Sequence, residues 1–262
     1  MNSEFKNKWV LVLGGSSGLG LASAKKLAAH GMHLILVYRE RKAPEEALVA
    51  EMTEIHKSGI KTVLINDNAL DKDSRKNIID KIKMELGNEK IYCLLHSIAK
   101  GNLKSLGTPD QPQATKEDFD ITLHAMATSW WEWTSGLVAA NLFAGDSRNI
   151  SFTSEGNKKF IPNYGVVAAA KATLESMARY MAVELASVGI KTNIIQSGVV
   201  ETPSLKMIPD SEKIIELTQK RNPFKRLTKT EDIANVVYLL CKDEGKWING
   251  AVICADGGES LL

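Results

Sequence analysis

Cysteine is scarce. Cys93, Cys241 and Cys254 are the only three, far apart and with no Cys-x-x-Cys pair. That excludes a disulfide framework and the common zinc spacings, and it suits free, buried thiols in a reducing compartment. An excess of one charge is also missing. The net charge is +2, which gives no basis for nucleic acid as a partner. No run approaches the ~18 apolar residues of a membrane span. The first eight residues, Met1 to Lys8, hold no apolar signal-peptide core. These absences predict a cytoplasmic chain with no membrane or nucleic-acid partner. Internal repeats and linkers are lacking too, so 1–262 is expected to form one domain.

What is present suits an α/β protein. Hydrophobic residues make up 44% and charged residues 24% of 262, enough to build a core. Trp9 to Leu13 is a short apolar run that reads as a buried strand. Gly14-Gly15-Ser16-Ser17-Gly18-Leu19-Gly20 follows at once, and a helical pattern then runs to His30 and stops at Gly31. Strand, glycine turn, helix is the setting of a phosphate-cradling loop. Glycines let the backbone approach a pyrophosphate, and the helix N-terminus offers free N–H groups. A plain tight turn is the alternative. Leu34 to Tyr38 is a second strand. The run after it, Arg39-Glu40-Arg41-Lys42, holds three cations and one anion. Cations there would meet the 2′-phosphate of NADP(H), while Glu40 leaves NADH open.

Helices are expected over Pro44 to Lys57 and Asp73 to Leu86, with strands at Lys61 to Asn66 and Ile91 to Leu95. Asn68-Ala69 and His96-Ser97-Ile98-Ala99 lie just past two strand ends, with His96 read as structural. Gly101 to Thr115 reads as a loop. Lys116 to Ala144 reads as a long helical region, in which Trp130, Trp131 and Trp133 suit core or subunit packing. Asn149 to Thr153 is the fifth strand, with Ser154 at its end. Tyr164 to Val188 is a helix, Lys191 to Gln196 the sixth strand, Asp232 to Lys242 a helix and Ala251 to Cys254 a last strand. Residues 202–228, polar and proline-bearing, form a candidate lid. Strands alternating with helices predict a single doubly wound parallel sheet, Rossmann-like, with helices on both faces. Ligands of such sheets sit beyond the strand carboxyl ends. The glycine loop, Arg39, Asn68, Ser97, Ser154 and Thr202 all fall there.

Within the helix, Tyr164 and Lys171 are seven residues apart. That is two turns less about 20°, so both can share one face. An ammonium near a phenol is expected to lower its pKa and sharpen it as a proton donor. A half-buried Tyr and a surface Lys are the plain alternative.

These features together resemble the short-chain dehydrogenase/reductase family along nearly the whole chain. The glycine loop, the Asp256-Gly257-Gly258 tail and the Ser154, Tyr164, Lys171 order carry the match. The family's main branch has its tyrosine four residues before the lysine, where this chain has Val167. The Tyr-x6-Lys spacing, Ile161-Pro162-Asn163-Tyr164, Arg179-Tyr180-Met181-Ala182 and His96-Ser97-Ile98-Ala99 resemble the enoyl-acyl-carrier-protein reductases. The tail, ending Glu259-Ser260-Leu261-Leu262, is similar to the NADPH-dependent subgroup. The chain departs from the main branch at Met126, where its catalytic asparagine would stand, and at Leu13 and Val199. Ser154 occupies the main branch's serine position, where many enoyl reductases carry a second tyrosine, and its role stays open.

The resemblance implies reduction of a trans-2-enoyl thioester in fatty acid synthesis. Tyr164 would bind the thioester oxygen and Lys171 the nicotinamide ribose, with Ser154 as the third catalytic candidate. The implied cofactor shell is Gly14, Ser16, Ser17, Gly18, Leu19, Gly20, Arg39, Asn68, Ala69, Ser97, Ile98, Lys171, Val200 and Thr202, holding NADPH in preference to NADH; no metal is implied. It also implies a homotetramer. An acyl carrier protein would suit Lys206, Lys213, Lys220, Arg221, Lys225, Arg226 and Lys229, although interleaved acids fit a solvated surface equally. A 3-oxoacyl or other short-chain carbonyl reductase and a non-catalytic dinucleotide sensor are the competing readings.

Overall fold

Both faces of β1 (Trp9–Leu13) are covered, so all five of its residues are buried. Val10 and Val12 point to one core, and Trp9, Leu11 and Leu13 to the other. The same alternation runs through β2 (His33–Tyr38), while in β4 (Ile91–His96) Tyr92 and Cys93 both join the first core, where the register shifts. In this computed structural model, residues 4–202, 205 and 211–262 are described. The remaining strands are β3 (Thr62–Asn66), β5 (Phe143–Ser154), β6 (Ile190–Ser197) and β7 (Val252–Ala255). All seven form one parallel sheet in the order β3-β2-β1-β4-β5-β6-β7. The order reverses between β1 and β4, which opens a crevice at their carboxyl ends.

The helices are α1 (Gly18–Ala29), α2 (Lys42–Lys57), α3 (Lys72–Leu86), α4 (Lys116–Leu123), α5 (Ser129–Ala139), α6 (Gly165–Glu184), α7 (Ser211–Arg221) and α8 (Thr230–Cys241). On one face Leu27 of α1, Leu48 of α2 and Val237 of α8 pack against Val10, Leu34 and Leu95. On the other, Ile78 of α3, Trp133 of α5 and Leu174 of α6 cover Leu11, Ile35 and Leu94. Capping fixes the starts of two of these helices. Asp71 accepts from the amides of Asp73 and Ser74 before α3, and Thr115 and Asp118 form a reciprocal box at α4. Among the described residues no helix is long and apolar enough to cross a membrane.

The expected helix from Lys116 to Ala144 is corrected in two ways. A π-helical turn, His124–Thr128, separates α4 from α5. The helix then ends at Ala139, and Asn141 takes a left-handed φ of 54° to turn the chain into β5. Strand β5 consequently starts at Phe143 rather than Asn149. Helix α6 stops at Glu184, and a 3-10 turn, Ala186–Val188, completes the segment expected to be helical to Val188. Cys93 and Cys241 are buried, but Cys254 is exposed, because β7 is an edge strand with β6 as its one neighbour.

Candidate active site

The glycine loop is built by backbone packing. Gly14 has a φ of +82°, and a Cβ there would lie 2.6 Å from the Ser97 carbonyl oxygen. The amides of Gly14 and Gly15 both donate to the Val37 carbonyl, at 2.9 and 3.2 Å. A Cβ on Gly20 would meet the Gly14 carbonyl at 2.2 Å. Gly20 therefore shapes the loop from behind and does not line the cavity in front of it. Ser17 precedes α1 but makes no side-chain cap, so the first-turn amides stay available for an anion.

That cavity, about 460 Å³, lies over the carboxyl ends of β1, β2, β4, β5 and β6. Of the residues expected to hold a cofactor, it is lined by Gly14, Ser16, Ser17, Gly18, Leu19, Arg39, Asn68, Ala69, Ser97, Ile98, Lys171, Val200 and Thr202. Gly20 alone is missing. Arg39 faces the cavity, whereas Glu40 turns its carboxylate to Ser16, whose hydroxyl donates to it at 2.8 Å. Asp67, Lys100 and Gly198 also line the wall; sequence reasoning missed them, and each stands within two residues of a position it had singled out.

The three catalytic candidates converge at one end. Ser154 is the last residue of β5, and Tyr164 is the N-cap of α6. Their hydroxyl oxygens stand 3.0 Å apart. Asn163, with a φ of 60°, makes the sharp turn that delivers Tyr164 to the helix. Gly156 lies flat against the phenol ring, where a Cβ would come within 2.5 Å. Two turns on, Lys171 is buried and its Nζ donates to the Phe152 carbonyl at 2.9 Å. Tyr164 and Lys171 thus share the cavity face, as their spacing predicts.

The electrostatics differ from expectation. Burial raises the Tyr164 phenol pKa, with the Ser154 hydrogen bond opposing it. The expected lowering by Lys171 is not found. Lys171 itself is lowered to about 8 by burial, with the Glu175 carboxylate one turn away opposing the shift. Glu175 accepts from the Thr153 hydroxyl at 2.8 Å. His96 is buried and depressed to about 3 by desolvation and then by the Lys171 charge. Its Nε2 is 2.9 Å from Ser129 Oγ, which itself donates to the Ala125 carbonyl. Its Nδ1 is 3.4 Å from Ser151 Oγ, which donates to the His96 carbonyl, so a serine hydroxyl stands at each nitrogen of the buried ring. The structural reading of His96 fits these bonds, although the residue also lines the cavity.

Val167 and Met126 are buried together with Ala170, and neither lines the cavity. Trp130 and Trp133 are core residues, bonded to Asn149 and to the Ala69 carbonyl, while Trp131 is half exposed. Among the described residues of 202–228, Lys220 pairs with Glu216, Arg226 with Asp232, and Arg221 with Glu155 and Glu259. Lys206 lies outside the described residues.

The family model described as enoyl-(acyl carrier protein) reductase matches residues 14–260. The chain belongs to this family of short-chain reductases. The reductase is 27% identical over 266 residues to the enoyl-[acyl-carrier-protein] reductase [NADH] 2 of Rhizobium meliloti, covering 100% of this chain and 94% of that protein. It is 27% identical over 258 residues to an NADPH-dependent aldehyde reductase-like protein of Arabidopsis thaliana, covering 95% and 92%. A short-chain dehydrogenase of Burkholderia cenocepacia, solved with NADP, superposes with a TM-score of 0.83 at 26% identity, over 98% and 99% of the two chains. The reductase is thus an oxidoreductase of the nicotinamide-dinucleotide type. The uncapped α1 terminus, the Gly14 cradle and the cavity across the strand ends fit such a cofactor.

Proposed function

We propose that the reductase uses NADPH to reduce the trans-2 double bond of an enoyl thioester, borne by an acyl carrier protein, in cytoplasmic fatty acid synthesis. One observation carries this reading. Tyr164 is the cavity tyrosine that stands beside Ser154 and Lys171, while Val167 and Met126, where a carbonyl reductase of the main branch would place its relay, are buried in an apolar cluster that packs against Tyr164 and do not line the cavity. When bound, the dinucleotide supplies the hydride that the β-carbon of the substrate accepts. Tyr164 then donates to the thioester oxygen as negative charge collects there, with Ser154 fixing the phenol's direction. Its raised pKa keeps the phenol protonated and able to donate. Lys171 holds the ribose hydroxyls, and Arg39 meets the 2′-phosphate.

The segment 202–228 serves as a lid within a single domain. A homotetramer built through α5 and α6 would cover the exposed Trp131, Tyr180 and Val183. Carrier protein would be steered less by the lid cations than their number implies, since Lys220, Arg221 and Arg226 are already paired.

A second reading, carbonyl reduction, is favoured by the Ser154–Tyr164 hydrogen bond and by the aldehyde-reductase name of the Arabidopsis relative. NADPH oxidation with a crotonyl thioester, an acetoacetyl thioester and no substrate separates the two. Turnover of the crotonyl thioester alone is expected; turnover of the acetoacetyl thioester alone would replace the enoyl reading.

A further inference from the structure

Strand β6 leaves the sheet at Ser197, its last residue paired with β5 and β7. The chain continues along the dinucleotide cavity as Gly198, Val199 and Val200, of which Gly198 and Val200 line it. Among the described residues no strand of the sheet pairs with that stretch. Contacts from elsewhere hold it. Val200 forms an isolated bridge with Thr228. The Val199 amide donates at 3.3 Å to Oε1 of Glu259, in the chain's last turn. Glu259 is 1% exposed. Its carboxylate lies so close behind the wall that a Cβ on Gly198 would come within 2.8 Å of Oε2. The turn that carries it is pinned to β6, because Asp256 accepts from the Gln196 side chain at 3.3 Å and from the amides of Gly258 and Ser260 at 2.9 and 3.3 Å. Arg221 Nη2 reaches the same Glu259 Oε1 at 3.3 Å and also pairs with Glu155, the residue after Ser154. One guanidinium thus joins the backing of the β6 wall to the strand end that holds the Ser154–Tyr164 pair.

A buried carboxylate is a costly way to fill space. Burial raises the Glu259 pKa, with the Val199 amide opposing the shift, and an apolar side chain of similar volume would pack at less cost. What the carboxylate adds is an acceptor for a backbone amide of the cavity wall. We infer that Glu259 is a positioning residue for the dinucleotide: its oxygen fixes the Val199 amide, and with it the Gly198–Val200 face of the cofactor cavity. Arg221 steadies the carboxylate from the other side. The inference rests on the proposed reading of that cavity as the NADPH site.

The test compares Glu259→Gln with Glu259→Met by fluorescence titration with NADPH and with NADH. The two side chains are close in volume and both lack the charge, so each leaves Arg221 with Glu155. They differ in the acceptor: the glutamine oxygen can still take the Val199 amide, whereas the methionine sulfur is a weak acceptor. NADPH affinity is expected to stay within about threefold of wild type in Glu259→Gln and to fall by about tenfold in Glu259→Met, the worth of one hydrogen bond. Equal affinities in the two variants overturn the inference, whatever their stability in urea. Should the methionine variant fail to fold, Glu259→Asp decides. It keeps the charge for Arg221 but is one methylene short of Val199, and should also weaken NADPH by about tenfold; wild-type affinity there overturns the inference. A wild type that binds NADH and not NADPH overturns the proposed cofactor alone, and the NADH constants of the same variants then test the inference.

Discussion

The Nζ of Lys171 lies 2.9 Å from the carbonyl oxygen of Phe152, two residues before Ser154. The lysine is therefore fixed to the same strand end that carries the serine. Its depressed pKa, about 8, sets a pH window. Below pH ~8 the side chain is charged; above it the charge is lost well before the ordinary lysine value of about 10.4. NADPH affinity is expected to weaken as pH rises through about 8, measured by fluorescence titration. Lys171→Arg, which stays charged, should shift that inflection out of the range.

In the proposed mechanism Tyr164→Phe removes the donor to the developing oxyanion and leaves the ring on Gly156. A loss of about a hundredfold or more in kcat is expected, with NADPH affinity held. Ser154→Ala removes a hydrogen bond to the phenol and not the donor itself. Its cost should be about tenfold, the worth of one ordinary hydrogen bond. Steady-state rates with crotonyl thioester read both. An equal loss in the two variants would make Ser154 a direct partner of the substrate.

On the proposed reading Arg39 selects NADPH, with Glu40 held by the Ser16 hydroxyl. Arg39→Ala is expected to raise KM for NADPH about tenfold, the worth of one charge-assisted hydrogen bond to a phosphate. KM for NADH should move little. A variant that weakens both cofactors equally would place Arg39 outside the phosphate site.

His96 gives the fold an acid sensitivity. Its folded pKa of about 3 lies below its unfolded value, so the unfolded chain binds the extra proton between the two. Stability is then expected to fall as pH drops from about 6.5 towards 3, by about 1.4 kcal/mol per pH unit. Urea titrations at pH 7 and pH 5 should show this slope in wild type and a smaller one in His96→Gln.

Arg221 ties α7 to the residue after Ser154 and to the chain's last turn. Its guanidinium reaches Glu155 and, at 3.3 Å, the buried Glu259. Arg221→Ala takes the cation from Glu259 and leaves Glu155 with Lys159, and should cost about 2–3 kcal/mol in urea unfolding. Glu259→Gln in the same background should recover part of that loss, because the orphaned charge goes with it. Additive losses would mean that the three groups act independently.

The sheet is legible in the sequence because β1, β2 and β4, which form its centre, are short apolar runs bounded by turn residues. Those runs are continuous, not alternating, since helices cover both faces. The cavity wall is legible where a strand end bears a polar or glycine residue. Asp67 and Lys100 are not, because which neighbour of a strand end turns inward depends on the loop path. The break at His124–Thr128 leaves no mark either, as a π turn uses ordinary helix formers. The pull of Lys171 on Tyr164 is misjudged from sequence for a different reason. Spacing places two groups on one face, but the Phe152 carbonyl, from a distant strand, is the acceptor of the ammonium's hydrogen bond.

The glycine pair at 14 and 20 also limits how the chain can vary. At both positions the obstacle to a methyl group is backbone, the Ser97 carbonyl at one and the Gly14 carbonyl at the other. No rotamer change can clear it. An alanine at either place has to push apart β1, α1 and the end of β4 together. In a saturation library selected for function, these two columns should empty of every other residue. Position 18, where a Cβ would meet Thr202 at an ordinary 3.6 Å, is crowded by nothing but faces the strain of a φ of +54°. It should admit asparagine first.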